Sequence, residues 1–157
     1  MKTIPERWKM VNLGDIARVY SGGTPSRAVP KYWGGRIPWV STAEIDASVI
    51  TTTKEHITDE GLASSAAKIA RAGTLLMAMY GQGKTRGKTS ILGIDAAMNQ
   101  ACAAIEPGRR VDPEYLLSYL RGNYELIRAL SNSGGQENLS GEIVKRIPIL
   151  LPDTREQ

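Results

Sequence analysis

The residues with the most evident chemical potential form one glycine-rich, cation-bearing run, Gly81-Gln82-Gly83-Lys84-Thr85-Arg86-Gly87-Lys88-Thr89. Glycines let a backbone approach an anion closely, and a lysine beside them supplies charge, so such a run can cradle phosphate. A nucleotide-binding P-loop, however, needs glycine, four intervening residues, then Gly-Lys-Ser/Thr. Five positions before Gly83 stands Ala78, and five before Gly87 stands Gln82. A dinucleotide fingerprint fails as well, because Arg86 occupies its third glycine position. The following Ser90-Ile91-Leu92-Gly93-Ile94 is strand-like, whereas a P-loop opens a helix whose N-terminus faces the phosphates. Two readings stay open. In an extended segment Lys84, Arg86 and Lys88 share one face and line up along a phosphate strand, the loop being mobile until DNA holds it. Alternatively the run is a solvated hairpin tip whose charges keep it soluble.

Other constellations offer less. His56 is the single histidine, which excludes a multi-histidine metal site, and it reads as a surface residue. Glu44 and Asp46 stand two apart, a spacing common on solvated turns. No acid sits two residues before a lysine in the manner of many nucleases, and the Asn-Pro-Pro-aromatic run of amino-methyltransferases is missing. Cys102 stands alone in an apolar run, so neither a disulfide nor a thiolate metal site is available. These absences weigh against an enzyme without identifying a binder.

The elements that must position these residues belong to one domain. A chain of 157 residues with 41% hydrophobic and 23% charged residues can bury a core without staples. Nothing approaches the ~18 apolar residues of a membrane span, and the N-terminus lacks a signal-peptide stretch, which suggests a cytoplasmic protein. The excess of basic over acidic residues is four, with a pI near 9.3, so a polyanionic partner is permitted but not demanded. Trp8 to Tyr20 reads as an extended entry and a short amphipathic turn around Leu13, Ile16 and Val19. A loop of turn formers, Ser21-Gly22-Gly23-Thr24-Pro25-Ser26, then runs to Gly34-Gly35. Ile37 to Ser41 is strand-like, with Pro38 marking an edge or a bulge, and Val49 to Thr53 is β-branched. Thr58 can cap a helix over 59–67. Thr74 to Tyr80 is a buried strand, and the segments at 90–94 and 101–105 look similar. Asp112-Pro113-Glu114 starts a helix whose Leu117, Leu120, Tyr124, Ile127 and Leu130 share a face, kinked or divided at Gly122-Asn123. A polar loop, 131–138, leads to a last strand over 147–151. The expected fold is α+β: mixed, largely antiparallel short strands with a few helices.

Read in order, Leu13-Gly14-Asp15-Ile16, Ser21-Gly22-Gly23-Thr24-Pro25, Tyr32-Trp33-Gly34-Gly35, Ile37-Pro38-Trp39-Val40, Glu44-Ile45 and the run from Gly73 to Tyr80 form a pattern. It continues through the glycine-rich loop, Asn99-Gln100-Ala101-Cys102, Tyr115-Leu116-Leu117, Gly134-Gly135-Gln136-x-Asn138-Leu139, Ile147-Pro148-Ile149 and Leu151-Pro152. This ordered set closely resembles a target recognition domain of the specificity subunit of type I restriction–modification enzymes, and covers essentially the whole chain. The resemblance implies a non-catalytic reader of one half of a split target in double-stranded DNA. In that family a second recognition domain reads the other half. Separate modification (methyltransferase) subunits use S-adenosylmethionine, and a restriction subunit uses ATP and Mg; no cofactor is expected in this chain. Residues 1–152 are then the recognition domain, and 153–157 the start of a conserved linker helix, here cut short. Those last residues should fray unless they pack on the domain. The rival readings are a small NTP-binding enzyme using the glycine-lysine loop, and a protein-interaction module.

Candidate DNA contacts are chosen by chemistry. Arg27, Lys31 and Arg36 flank the first long loop, where Tyr32 and Trp33 interleave with the charge. Ser41, Thr42 and Glu44 follow a strand end and can reach base edges. Lys84, Arg86 and Lys88 offer phosphate or guanine contacts, and Gln82 has the donor–acceptor pair that matches adenine. Trp39, Gly22-Gly23-Thr24-Pro25 and Gly134-Gly135-Gln136 read as structural: a core residue, a tight turn, and a turn held by side-chain hydrogen bonds.

Overall fold

The apolar run beginning at Thr74 is a strand covered on both faces. A computed structural model describes residues 3–81, 83–131 and 137–157. Its elements in chain order are β1 (Lys9–Asn12), α1 (Leu13–Ile16), β2 (Ala17–Ser21), β3 (Trp33–Val40), β4 (Val49–Ile50), β5 (Glu55–Ile57), α2 (Asp59–Ala63), β6 (Leu75–Ala78) and β7 (Thr89–Leu92). They continue with β8 (Ala97–Met98), β9 (Cys102–Pro107), α3 (Pro113–Gly122), α4 (Tyr124–Leu130), α5 (Gly141–Lys145) and β10 (Pro148–Leu151). The largest sheet has five strands in the order β2-β9-β6-β7-β4, a second has the order β5-β3-β8, and β1 pairs with β10. Among the described residues, β3 with β8 and β4 with β7 run parallel and the other strand pairs are antiparallel. The expected α+β class of short, largely antiparallel strands is what forms.

Alternation along β6 divides the core. Leu75, Met77 and Met79 pack with Ile91 and Ile105 against Leu116, Leu120, Ile127 and Val144 of the helices. Leu76 and Ala78, on the other face, meet Val40, Ile45, Ile50, Met98 and Cys102. Each fully buried Leu, Ile or Met contributes about 1.5–3 kcal/mol, so a strand with two apolar faces anchors both layers. A smaller cluster of Ile37, Trp39, Ile57, Ala67 and Ala97 sits under the second sheet.

Local chemistry accounts for the boundaries. Asp112 Oδ1 accepts from the Glu114 and Tyr115 amides at 2.9 and 3.0 Å, with Pro113 opening α3. The helical stretch divides at Asn123, whose Nδ2 donates to the Tyr119 carbonyl at 2.8 Å. Thr58 caps α2 as expected, but the helix ends at Ala63 rather than 67. Ser65 explains the shortening: its Oγ donates to Gly61 O at 2.9 Å and accepts from Ala67 N at 3.2 Å, giving the backbone a non-helical alternative. Pro38 lies in the central strand of its sheet rather than at an edge. It follows a register shift between Trp33 and Ile37, and pairing with β8 starts only at Trp39. Val19 belongs to β2, not to the amphipathic turn. The final residues fold back on the domain. Arg7 and Trp8 donate to Glu156, Gln157 bonds Arg110 O, Pro152 O and Asp112 N, and Asp153 accepts from Arg155 N at 3.0 Å. Gly134-Gly135-Gln136 lies outside the described residues, as does Gln82.

Candidate nucleic-acid interface

The first loop is anchored by glycines that are needed for room rather than for a turn. A Cβ on Gly22 would land on the Met98 and Asn99 carbonyl oxygens, and one on Gly23 would sit 2.5 Å from the Ala66–Ala67 peptide. Neither glycine has a positive φ. Gly23 N donates to Met98 O at 3.0 Å, and Trp39 Nε1 reaches Gly23 O at 3.0 Å, so the buried tryptophan ties the loop base to the second sheet. Beyond this anchor, Arg27 stacks 3.8 Å from the Trp33 ring centroid, and Trp33 meets Trp39 edge-on at 5.1 Å.

Each cation expected to touch DNA from this loop already holds a carboxylate. Arg27 bonds both oxygens of Glu55 at 2.5 and 3.1 Å. Arg36 grips Asp59 at 2.8 and 3.3 Å, and Lys31 reaches Glu60 at 2.7 Å. The hydrogen bond between Arg27 and Glu55 raises the guanidinium pKa and lowers that of the carboxyl; Glu60 likewise raises that of Lys31. Arg36 and Lys31 remain 78% and 65% exposed, so both can exchange partners with an incoming anion.

Ser41, Thr42 and Glu44 form one turn after β3. Glu44 Oε2 accepts from the Ser41 amide at 2.8 Å and its hydroxyl at 3.3 Å, while Oε1 accepts from Lys54 N at 2.8 Å. Glu44 thus locks the turn through both oxygens, and Thr42 is left half-buried beside it.

The glycine-rich loop is a series of turns bonded into the domain, so its cations do not share the single face that an extended strand would give. Gly83 and Gly87 adopt φ of +76° and +89°, which side-chain-bearing residues rarely do. Gly87 N donates to Ala78 O at 2.8 Å and Ala78 N to Lys88 O at 2.9 Å, closing the loop's base. From α4, Arg128 donates to Arg86 O at 2.5 Å and to Gly83 O, and the Tyr124 hydroxyl donates to Lys84 O. This network ties the described part of the loop to α4. Arg86 turns inward to bond Glu137 O, and Lys88 pairs with Asp46 at 2.5 Å. Lys84 is exposed, and its side chain has no hydrogen bond or ion pair among the described residues.

The loop and the helices border an open cavity of about 260 Å³, lined by Asp46, Lys84, Lys88, Arg121 and Tyr124 among others. Sequence reasoning missed Arg121 and Arg128, treating their stretch only as an apolar face. The i, i+4 spacing of Tyr124 and Arg128 was the available signal, because it puts both on one side of α4. His56 is half-buried on β5 beside Trp33, Gly34 and Lys54. Among the described residues no group of three or more His, Cys, Asp or Glu is arranged to hold a metal. No described helix is long and apolar enough to cross a membrane.

A mixed domain with cations gathered on two loops offers surfaces on which an anionic partner can bind. The comparison with known sequences makes the assignment specific. The profile of the type I restriction modification DNA specificity domain matches residues 5–157, and the chain belongs to that family. It is 26% identical over 155 residues to the type I restriction enzyme EcoR124I/EcoR124II specificity subunit of Escherichia coli, covering 96% of this chain and 38% of that protein. The MjaIX specificity subunit of Methanocaldococcus jannaschii is 28% identical, with 98% of this chain and 36% of that protein covered. The crystal structure of the HsdS subunit from Thermoanaerobacter tengcongensis superposes with a TM-score of 0.75 at 19% identity, over 98% of this chain and 35% of that one. The chain thus spans little more than a third of the length of these relatives.

Proposed function

We propose that this chain recognises one half of a bipartite sequence in duplex DNA and thereby directs separate methyltransferase and restriction subunits of a type I restriction–modification system. The family match over residues 5–157 carries this reading. The chain itself performs no catalysis. S-adenosylmethionine, ATP and Mg act on the partner subunits, a second recognition domain supplies the other half-site, and the complex works in the cytoplasm. Within this chain, Lys31, Arg36 and Lys84 approach the backbone, while Ser41, Thr42 and Gln82 are candidates for base edges. Arg27, Glu44 and Arg86 first hold the loops in shape through the bonds described above, which leaves them a secondary part in contact, while Lys88 is paired with Asp46 in the free protein.

The test is binding of the chain to mixed-sequence duplex DNA across a range of salt. About four phosphate contacts should give a slope of log K against log salt of roughly −3 to −4, from counterion release. A slope near zero would rule out this mode of recognition. Mapping the methylated motif in a host that carries the intact system would then identify the bases read.

A further inference from the structure

We propose that the cavity between the glycine-rich loop and the helices seats one phosphate of the DNA backbone, held by Lys84, Lys88 and Arg121, with Asp46 occupying the site until the phosphate arrives. The proposal rests on the DNA-reading assignment and adds a specific site to it. Three cations line this cavity against one carboxylate, so the local charge favours an anion. Arg121 contributes a guanidinium bonded to a neutral group, the Ser48 hydroxyl at 2.5 Å, which leaves most of its donors for a ligand. Lys84 has its backbone fixed by the Tyr124 hydroxyl, while its ammonium group stays exposed. Ile45 and Thr89 are 1% and 5% exposed and close the inner wall, so charges there are less screened than at an open surface.

The Lys88–Asp46 pair indicates how the site opens. The lysine side chain is 32% exposed and the aspartate 75% exposed, at a separation of 2.5 Å. Asp46 is the more exposed partner, so it can swing into water while the less exposed Lys88 stays to meet the incoming phosphate. Asp46 is held below its ordinary carboxylate range by the Lys88 hydrogen bond, with Arg121 adding to the effect, so it is an ionised occupant at neutral pH. A phosphodiester fits better than a nucleoside triphosphate, because the run lacks P-loop spacing and opens no helix. Two of its amides are also already used, Gly87 N on Ala78 O and Lys88 N on Thr85 O.

The experiment compares wild type, K84A, R121A, the double variant and D46N, using a fluorescent mixed-sequence duplex of about 20 base pairs and a salt series. Removing either cation should weaken binding to every sequence alike and flatten the slope by up to about 0.9 for each phosphate no longer neutralised. Across a fourfold rise in salt, a variant that leaves one phosphate free should then lose about 3.5-fold less affinity than wild type. D46N should bind severalfold more tightly, a gain that misfolding cannot imitate. If wild type binds duplex but the double variant keeps its affinity and slope, the phosphate seat is refuted while DNA reading stands. Unchanged or weaker binding by D46N refutes the role given to Asp46. If wild type binds no duplex at all, the functional reading itself falls. Thermal stabilisation by ATP, exceeding that by inorganic phosphate at equal ionic strength and absent from the double variant, would reassign the cavity to nucleotides.

Discussion

Arg128→Ala should release the glycine-rich loop without unfolding the domain. The Arg128 guanidinium spans two loop carbonyls, donating to Arg86 O at 2.5 Å and to Gly83 O, and lies 5.3 Å from the Tyr124 ring centroid. Its Cγ packs against Gly87, where a Cβ would stand only 3.0 Å away. A hydrogen bond from a charged donor contributes about 1.5–3 kcal/mol. Gly83 is exposed, so water replaces much of one bond, whereas Arg86 is half-buried and its carbonyl recovers less. Together the two losses should cost about 2 kcal/mol of loop stability, or roughly a 30-fold rise in the open population, because 1.4 kcal/mol is a factor of ten. Hydrogen exchange at the Gly87 and Lys88 amides reads this directly, since both are bonded inside the loop. Arg128→Lys keeps the charge but not the fork, and should not restore protection. Unchanged exchange at these amides in R128A, or full protection in R128K, would show that the loop is held by its turns alone.

Gly22→Ala should destabilise the domain by about 3 kcal/mol or more, because the added methyl collides with two backbone carbonyls rather than a yielding side chain; thermal unfolding would register the loss. Cys102 is 0% exposed and burial pushes its thiol up to about 12, so a thiol reagent at pH 8 should label nothing in the native protein and one group per chain after denaturation. Glu156 is held at about 2, chiefly by its hydrogen bond from Arg7, below the ordinary glutamate value of roughly 4.3. Its folded pKa is the lower one, so its contribution is present above about pH 4.3 and is lost as pH falls toward 2. The pair is exposed and the effect therefore small; the thermal midpoint of E156Q should fall less than that of wild type over this window.

The features legible in the sequence were those with local causes. The run at Thr74 declared a buried strand through apolarity, and Asp112-Pro113 declared a helix start through capping chemistry, which the Asp112 bonds bear out. The break at Gly122-Asn123 was legible for the same reason. By contrast, β5 and β8 are strands of three and two residues, Glu55–Ile57 and Ala97–Met98, that exist only because β3 lies between them. Gly22 and Gly23 were visible as a motif, but the reason for them, close approach to the 98–99 and 66–67 backbones, comes from segments more than forty residues away. The interface followed the same rule. The cations could be named from residue type, but their partners lie 28, 23 and 42 positions away in the Arg27–Glu55, Arg36–Asp59 and Lys88–Asp46 pairs.

On the proposed DNA-reading function, those pairings assign the two loops different parts. On the first loop, Arg27, Lys31 and Arg36 each face a carboxylate, so at distances beyond the Debye length of about 8 Å the patch presents little net charge. It attracts non-specific DNA weakly. Exposed pairs of this kind are worth only about 0–1 kcal/mol, so trading a carboxylate for a well-placed phosphate costs little once the duplex is in register. The cavity under the glycine-rich loop is the opposite case, with three cations and one carboxylate, and its field is felt before contact. On that proposal, charge on the second loop governs encounter and much of the salt dependence. The first loop responds at short range, where a carboxylate left without its cation penalises a phosphate in the wrong place. On the same proposal, discrimination comes from the acids Glu55, Asp59 and Glu60 as much as from the bases they hold.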